Sequence, residues 1–382
     1  MKKTKPQTQQ SSRSLTELKT KSLAVKYRPN SLRALVGQSN AVQQITAMIN
    51  KKALPSCILI TGITGTGKTT LSRIIAKILN CCDLDENLVP CGVCPNCKDS
   101  SAYYQENNTA SDRGIDNIRN LGQLANMIPM GANIRVICLD EVHQLQAASS
   151  SALLKFVEDT PPQTLWILAT SNPEKLLNTI PGRCARINLQ PIETPLMTKR
   201  LMVISKREGI DMGETEAHVS AIAKICEISM GSMRNAVSYL ESIILTLHTD
   251  PDADIKSILK STIASSELGD DEHAANLLYS IKTGNAKGIV KIARTTNVRA
   301  VLSKLRWLVQ YYLDKAVGIA KFTPYSAKCY VKITRDETLS VRELALLQLV
   351  LVELEDRLNE GRIDESVIFL SKLVDFCERY VK

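Results

Sequence analysis

The sequence predicts an α/β domain built on a parallel sheet, followed by a small helical region and an all-helical C-terminal domain. Residues 57–61 and 134–139 are short apolar, β-branched runs, as in strands buried on both faces of a sheet. Residues 165–169 form a third such run. The first run is followed by a helix pattern at residues 71–79, and beyond residue 192 only helical spacing of apolar residues recurs.

The loop between the first strand and the first helix pattern carries a phosphate-binding motif. Residues 62–69 fit G-x-x-x-x-G-K-T, whose glycines let backbone N–H groups and a helix N-terminus face phosphate oxygens. Lys68 is predicted to reach the β- and γ-phosphates of ATP, and the hydroxyl of Thr69 to hold Mg²⁺. A chance glycine-rich turn is disfavoured because a strand precedes the motif and a helix follows it. The predicted nucleotide contacts here are Gly62, Ile63, Thr64, Gly65, Thr66, Gly67, Lys68, Thr69 and Thr70.

Two carboxylates end the second apolar run. Asp140 is predicted to bind in the Mg²⁺ shell and Glu141 to polarise the attacking water. The alternative is that both acids cap the next helix. The third run ends in Thr170 and Ser171, where a hydroxyl could position the water or simply form a turn.

Five of the eleven cysteines fall between residues 81 and 97. Cys91, Cys94 and Cys97 form a C-x₂-C-x₂-C run with Cys81 and Cys82 upstream, and four thiolates at this spacing suit a structural Zn²⁺ site. An iron–sulfur cluster would need a fourth cysteine followed by proline, and disulfides are unexpected without a secretion signal. Spacing leaves either Cys81 or Cys82 as the fourth ligand. The remaining cysteines are predicted to be single core residues: Cys57, Cys138, Cys184, Cys226, Cys329 and Cys377.

Composition limits the protein class without identifying a partner. The 382 residues suffice for two or three domains. No apolar run approaches the length of a membrane span and no signal-peptide core is present, so we expect a cytoplasmic protein that does not engage a membrane. The net charge is +9, but six basic residues and one acidic residue in the first 22 positions account for +5. The folded body, at about +4, therefore does not by itself indicate a DNA-binding face.

Several segments, in order along the chain, together resemble one family. They are residues 23–29, 36–38, 140–143, 151–162, 169–176, 183–184 and 231–236. They are similar to the clamp-loader ATPases of the AAA+ class, and among these to the gamma/tau family of bacterial DNA polymerase III. The resemblance implies an ATPase subunit that, in a ring with other clamp-loader subunits, opens a sliding clamp and loads it on primer–template DNA.

The resemblance also implies roles for two arginines. Arg234 would be a second sensor that contacts the nucleotide from the lid domain. Arg183 would be an arginine finger that reaches the nucleotide of the neighbouring subunit. Each cation would offset charge on the phosphoryl oxygens. The family has Ser-Arg-Cys where this chain has Gly182-Arg183-Cys184, so the loop before the arginine differs.

Further site residues follow from the same resemblance. Ser171, or Thr170 beside it, would sense the γ-phosphate, and the opening segment with Arg28 and Pro29 would pack over the adenine. A zinc module lies between the phosphate loop and the Asp-Glu strand in the family, as the cysteines do here. His143, within the Asp-Glu-Val-His motif, is predicted to be structural.

The predicted domain boundaries fall at polar and proline-containing stretches. Residues 1–22 would be a disordered basic tail, and residues 23–191 the AAA+ domain with the zinc module at 81–97. Residues 192–248 would be the helical lid and residues 255–382 the helical collar that joins subunits. The chain resembles the short gamma form, which a phage or a reduced genome could encode.

Three other functions compete with the clamp-loader ATPase. A non-hydrolysing scaffold subunit would have a damaged phosphate loop, whereas Lys68, Thr69, Asp140 and Glu141 are all present. A DNA motor such as a branch-migration helicase would share the phosphate loop but not the cysteine insertion. A nucleotide switch with negligible turnover is permitted by the loop alone, but Glu141 and Arg183 argue against it.

Overall fold

The computed structural model describes residues 21–177, 179–264, 267–318, 325–334, 339–359 and 365–380. Most of the predicted basic tail, residues 1–20, lies outside the described residues. Contacts divide the chain into two compact units, which meet between Ile244 and Leu245 in the sequence. The predicted boundaries at residues 191/192 and 248/255 stay predictions. None of the described helices combines the length and apolar composition that a bilayer crossing requires.

A five-stranded parallel sheet organises the first unit. The strand order is β2-β3-β4-β1-β5, so the strand before the phosphate loop lies between β4 and β5. The strands are β1 (Cys57–Thr61), β2 (Tyr104–Asn108), β3 (Arg135–Asp140), β4 (Thr164–Thr170) and β5 (Ala185–Asn188). Because the strands are parallel, the residues that follow β1, β3 and β4 lie together at the carboxyl ends of the strands.

Helices cover both faces of this sheet and continue into a helical subregion. In the first unit they are α1 (Leu23–Lys26), α2 (Ser39–Asn50), α3 (Lys68–Asn80), α4 (Pro95–Lys98), α5 (Ile115–Ala125), α6 (Ala147–Glu158), α7 (Thr194–Arg207) and α8 (Glu216–Ser229), with α9 (Met233–Thr249) crossing the unit boundary. Short 3₁₀ turns occur at Leu32–Ala34, Val142–Gln144 and Pro173–Lys175.

Two apolar layers fill the space above and below the sheet. One contains Ile58, Ile60 and Ile75, and the other contains Leu59 and Trp166, each at most 1% exposed. Alternate residues of β1 thus point into opposite layers, as the two-residue period of a strand requires. This explains why β1, β3 and β4 are almost continuously apolar.

The second unit is formed by helices. They are α10 (Ile255–Ala264), α11 (Glu267–Lys282), α12 (Ala286–Thr295), α13 (Val298–Ala316), α14 (Tyr325–Thr334), α15 (Val341–Asn359) and α16 (Glu365–Tyr380). Their core includes Leu278, Leu305, Leu347 and Leu373, all fully buried. The predicted fold class is confirmed: a parallel-sheet domain with an inserted cysteine module, followed by helices.

Candidate nucleotide site and cysteine cluster

A pocket of about 910 Å³, part of which is open solvent, lies over the loop between β1 and α3. The loop residues Thr64 to Thr70 line it, together with Asp140 and Glu141. The opening segment lines a second side with Tyr27, Arg28 and Pro29 among others. Residues of the helical subregion line a third side, and these are Ile192, Arg200, Ile204, Met233, Arg234 and Val237. The pocket thus joins a polar floor to largely apolar walls, as a nucleotide requires.

The phosphate loop has the conformation that its glycines predict. Gly62, Gly65 and Gly67 have φ angles of 148°, 84° and 111°, which residues with a side chain rarely adopt. A Cβ atom on Gly65 would lie 2.1 Å from Ser232 Oγ, so packing as well as backbone conformation requires glycine at this position. Gly67 is the N-cap of α3, and the first three residues of that helix, Lys68 to Thr70, line the pocket. This cradle fits a phosphate group.

Lys68 is buried in the floor of the pocket, with a 5% exposed side chain. Its ammonium donates to the carbonyl oxygens of Gly62 at 2.9 Å and Ile63 at 3.3 Å, and lies 3.8 Å from Glu141 Oε1. Burial lowers the pKa of Lys68, and the carboxylates of Glu141 and Asp140 oppose that shift. The two carboxylates do not fully offset the cost of burying this ammonium. A bound polyphosphate would add the negative charge that favours its protonated form.

Thr69 and Asp140 together fit a magnesium ion. The Thr69 hydroxyl donates to Asp140 Oδ2 at 2.6 Å, which brings two hard oxygen donors side by side at the end of the phosphate loop. Asp140 ends β3 and Thr69 lies in the first turn of α3, so sheet and helix each position one donor. Mg²⁺ bound here with the nucleotide would neutralise charge on the phosphate oxygens.

Glu141 is held by the neighbouring strand. Its Oε2 atom accepts hydrogen bonds from the backbone N–H of Ser171 at 3.1 Å and from Ser171 Oγ at 2.8 Å. Its backbone is left-handed, with φ 54°, a conformation that costs a residue with a side chain about 1 kcal/mol or more. Such strain at a residue of the pocket is common where a side chain must be aimed at a substrate.

Thr170 and His143 lie behind this carboxylate. The Thr170 side chain is fully buried and its Oγ1 lies 3.0 Å from His143 Nδ1, which is itself 3.4 Å from Glu141 Oε2. Of the two hydroxyls left open by the sequence, Ser171 therefore contacts Glu141 directly, and Thr170 reaches it through His143. Neither hydroxyl lines the pocket surface.

The two predicted arginines are in different places. Arg234 lines the pocket, and its backbone N–H contacts the carbonyl oxygen of Gly65 at 3.4 Å. Arg183 does not line the pocket, and its side chain is 42% exposed. Its guanidinium bonds Glu158 and donates to Thr179 O at 3.0 Å. The structure therefore brings Arg234, but not Arg183, to the nucleotide site of the same chain.

Arg200 on α7 lines the pocket and was missed by sequence analysis. Its Nη2 atom donates to the backbone carbonyl of Tyr27 at 3.0 Å, which fixes the opening segment against the helical subregion. Burial is the main cause of its lowered pKa, followed by the charge of Arg207. No motif marks Arg200, because the contact joins residues 173 positions apart.

The cysteine cluster has the geometry of a four-thiolate metal site. The Sγ atoms of Cys81, Cys91, Cys94 and Cys97 all lie within 4.8 Å of one another. Zinc–sulfur bonds of about 2.3 Å place tetrahedral ligands roughly 3.8 Å apart, and Cys91 Sγ is 3.9 Å from Cys97 Sγ. Cys82 is exposed and lies outside the group, so the structure favours Cys81 as the fourth ligand.

Backbone groups prepare these sulfurs for a cation. The backbone N–H of Cys91 donates to Cys81 Sγ at 3.3 Å, and the backbone N–H of Cys94 donates to Cys91 Sγ at 3.4 Å. The N–H of Cys82 donates to Cys94 and is the main reason why the pKa of that thiol is lowered to about 6. Such N–H···S bonds favour the thiolate, which is the form that binds zinc. At Cys97 burial outweighs the backbone hydrogen bond and raises the pKa of the thiol to about 12, so this sulfur needs the cation itself to lose its proton.

The cluster is tied to the sheet domain through Asn96. Its side-chain amide donates to Asn80 O at the end of α3 at 2.9 Å and to Gly131 O at 3.1 Å. The hydroxyl of the fully buried Tyr103 donates to Asn96 O at 2.5 Å. The module is therefore anchored between α3 and the residue that precedes β2.

Comparisons with known proteins find a family model and relatives that are similar to this chain in sequence. A family model described as DNA polymerase III, delta subunit, matches residues 37–193. The DNA polymerase III subunit gamma/tau of Mycoplasma genitalium is 35% identical over 221 residues, which cover 57% of this chain and 36% of that protein. The subunit gamma of Buchnera aphidicola subsp. Baizongia pistaciae is 32% identical over 226 residues, 58% of this chain and 60% of that protein. By sequence, this chain is similar to these gamma and gamma/tau subunits over somewhat more than half of its length.

The chain spans about a third to three fifths of the length of these relatives. Among solved structures, a single-residue variant of RuvB from Thermotoga maritima matches with a TM-score of 0.53 and 20% sequence identity, over 82% of this chain and 99% of that one. At this identity the likeness shows the fold alone. The predicted family resemblance is confirmed by the sequence relatives, and the predicted fold, a parallel-sheet domain followed by helices, agrees with the structural one.

Proposed function

We propose that this protein is an ATPase subunit of a DNA sliding-clamp loader. The observation that carries the proposal is the placement of Glu141: Ser171 holds its carboxylate beside Lys68 and the Thr69–Asp140 pair, in a gamma/tau-like chain. A non-hydrolysing scaffold has no need of a positioned glutamate. The partners of the proposal follow from the family resemblance in the sequence: a sliding clamp, other loader subunits in a ring, and primer–template DNA.

Each of these pocket residues would have a separate role in ATP hydrolysis. Lys68 would turn from its loop carbonyls to the β- and γ-phosphates, and Glu141 would orient the water and accept its proton. Arg234 would contact the phosphates from the helical subregion. Loss of the γ-phosphate would weaken that contact, so the helical subregion would respond to the state of the nucleotide.

Arg183 would act on the nucleotide of the next subunit. Its exposed position away from the pocket supports this assignment, because a finger that works in a neighbouring site must lie on the surface. The ion pair with Glu158 would hold it until a neighbouring subunit supplies phosphate oxygens. ATP bound at such an interface would hold two subunits together, and hydrolysis would release the clamp onto DNA.

The test is ATP turnover by the purified protein with and without its clamp, partner subunits and primed DNA. Turnover should rise when all are present and should fall by about 10²–10⁴-fold in Glu141→Gln, with nucleotide binding retained. Glu174→Gln, which changes an exposed glutamate outside the pocket, is the matched control. Turnover that ignores the clamp would contradict clamp loading, and no turnover with every partner present would contradict the ATPase assignment.

A further inference from the structure

Two cysteines outside the metal cluster lie side by side in the sheet. Cys57 is the first residue of β1 and Cys184 directly precedes β5. Because β1 and β5 pair in parallel with Ile58 opposite Ala185, the residues one position earlier are also neighbours. Their Sγ atoms are 2.7 Å apart. This separation is closer to the disulfide bond length of about 2.05 Å than to the spacing of sulfurs around a metal.

The two thiols differ in reactivity. Cys57 is fully buried, whereas Cys184 is half-buried and lies beside an exposed turn. The hydrogen bond between them lowers the pKa of Cys184, and the positive charge of Arg186 lowers it further. The same hydrogen bond raises the pKa of Cys57, and burial raises it further. Since the thiolate is the nucleophile, Cys184 is the sulfur that would meet a solvent oxidant first and Cys57 the one that would follow.

We propose that Cys57 and Cys184 are a modification site that forms a reversible disulfide in response to peroxide. The Cys184 thiolate attacks hydrogen peroxide, the O–O bond breaks, and a sulfenic acid and hydroxide form. The Cys57 sulfur then attacks the Cys184 sulfur, and the S–S bond forms as the S–O bond breaks. The leaving hydroxide takes the Cys57 proton and becomes water. Two electrons pass to the peroxide, and a dithiol reductant returns both thiols.

The bond would lie at the end of the sheet opposite the phosphate loop. The loop follows Thr61 at the far end of β1, four residues from Cys57. The turn that bears Arg183 ends at the oxidised residue itself. Oxidation should therefore leave nucleotide binding in place, which provides a check that the oxidised protein is still folded.

The experiment treats the zinc-loaded full chain with hydrogen peroxide, blocks free thiols, and maps peptides by mass spectrometry without reduction. The expected result is a Cys57–Cys184 linked pair, two hydrogens lighter than the separate peptides, which a dithiol reductant removes. Zinc content is measured in parallel so that oxidation of the residue 81–97 cluster is scored separately. Cys184 recovered only as a higher oxide or mixed disulfide, with Cys57 still a thiol, would overturn the proposal.

Variants separate the two roles. Cys57→Ala should abolish the linked pair and leave Cys184 as a sulfenic acid that a dimedone-type reagent traps. Cys226→Ala, which removes another buried cysteine of the first unit, should keep the pair. A linked pair lost equally in Cys226→Ala would contradict the specific pairing of Cys57 with Cys184. An unreacted Cys184 in Cys57→Ala would contradict the assignment of Cys184 as the first sulfur to react.

Discussion

Ser171 holds the carboxylate of Glu141 through both its hydroxyl and its backbone N–H. Ser171→Ala removes only the hydroxyl bond, so the carboxylate should lose part of its orientation while the pocket stays intact. A hydrogen bond to a charged group contributes about 1.5–3 kcal/mol, so we expect turnover to fall roughly ten- to a hundredfold. Nucleotide affinity, measured by titration, should stay unchanged.

The control for this prediction keeps the hydroxyl. Ser171→Thr should restore most of the turnover, and Ser151→Ala, which removes a hydroxyl from the exposed side of α6, should leave it unchanged. Equal losses in Ser171→Ala and Ser171→Thr would show that steric fit at this position, rather than the hydrogen bond, sets the rate.

The lowered pKa of Lys68 makes a prediction about pH. Between this lowered pKa and the usual value of 10.5 the unfolded chain binds more protons than the folded one, so the stability of the nucleotide-free protein should rise with pH there. Bound phosphates favour the charged lysine, so nucleotide binding must take up a proton in that window. Affinity for a non-hydrolysable ATP analogue should therefore fall as pH rises through it.

Lys68→Arg is the matched variant, because a guanidinium stays charged throughout this range. Its affinity, although lower at neutral pH, should be nearly independent of alkaline pH. The measurement is the dissociation constant from about pH 7 to about pH 10 in both proteins. Parallel curves for the two would exclude Lys68 as the group responsible.

At the scale of elements, the cysteine module consists of a short chain segment with one small helix, α4, and little apolar material of its own. A metal that joins Cys81 to the C-x₂-C-x₂-C run would close this segment against the end of α3. Cys81→Ser should therefore reduce bound zinc from about one per chain to well below half and lower the melting temperature. Cys82→Ser should change neither.

Metal analysis of the two purified variants checks this prediction, with chelator-treated wild type as the reference for the empty module. The pair is informative because the two residues are adjacent, and only the buried Cys81 belongs to the group of four sulfurs, whereas Cys82 is exposed. Zinc lost from Cys82→Ser and kept in Cys81→Ser would reverse the ligand assignment.

For the whole molecule, the division between Ile244 and Leu245 separates the complete pocket from the second helical unit. A chain that ends at residue 250, just after α9, should fold and bind nucleotide within about threefold of the full chain. If the second unit is the collar that the family resemblance implies, the shortened chain should fail to assemble with partner subunits. Analytical ultracentrifugation and nucleotide titration measure the two properties separately, and a shortened chain that still assembles would contradict the collar role.

Short patterns in the sequence are enough to predict which groups form the candidate site. A phosphate loop, a strand that ends in Asp140-Glu141 and a run of cysteines are local patterns, in which residue type and spacing over a few positions set what the backbone and side chains can do. The sequence also indicated β1, β3 and β4, because strands buried on both faces must be apolar throughout. The same local logic explains why β2, with the polar residues Gln105 to Asn108 at the sheet edge, was not predicted.

Which of these groups are in contact is visible only in the folded domain. Ser171 reaches Glu141 because β3 and β4 are neighbours, and Arg200 reaches Tyr27 across 173 residues of chain. Cys57 and Cys184 are isolated from other cysteines in the sequence, and the register of β1 against β5 brings their sulfurs into contact. Such contacts depend on the order and register of strands, which arise from packing of the whole domain and leave no pattern in any short stretch of sequence.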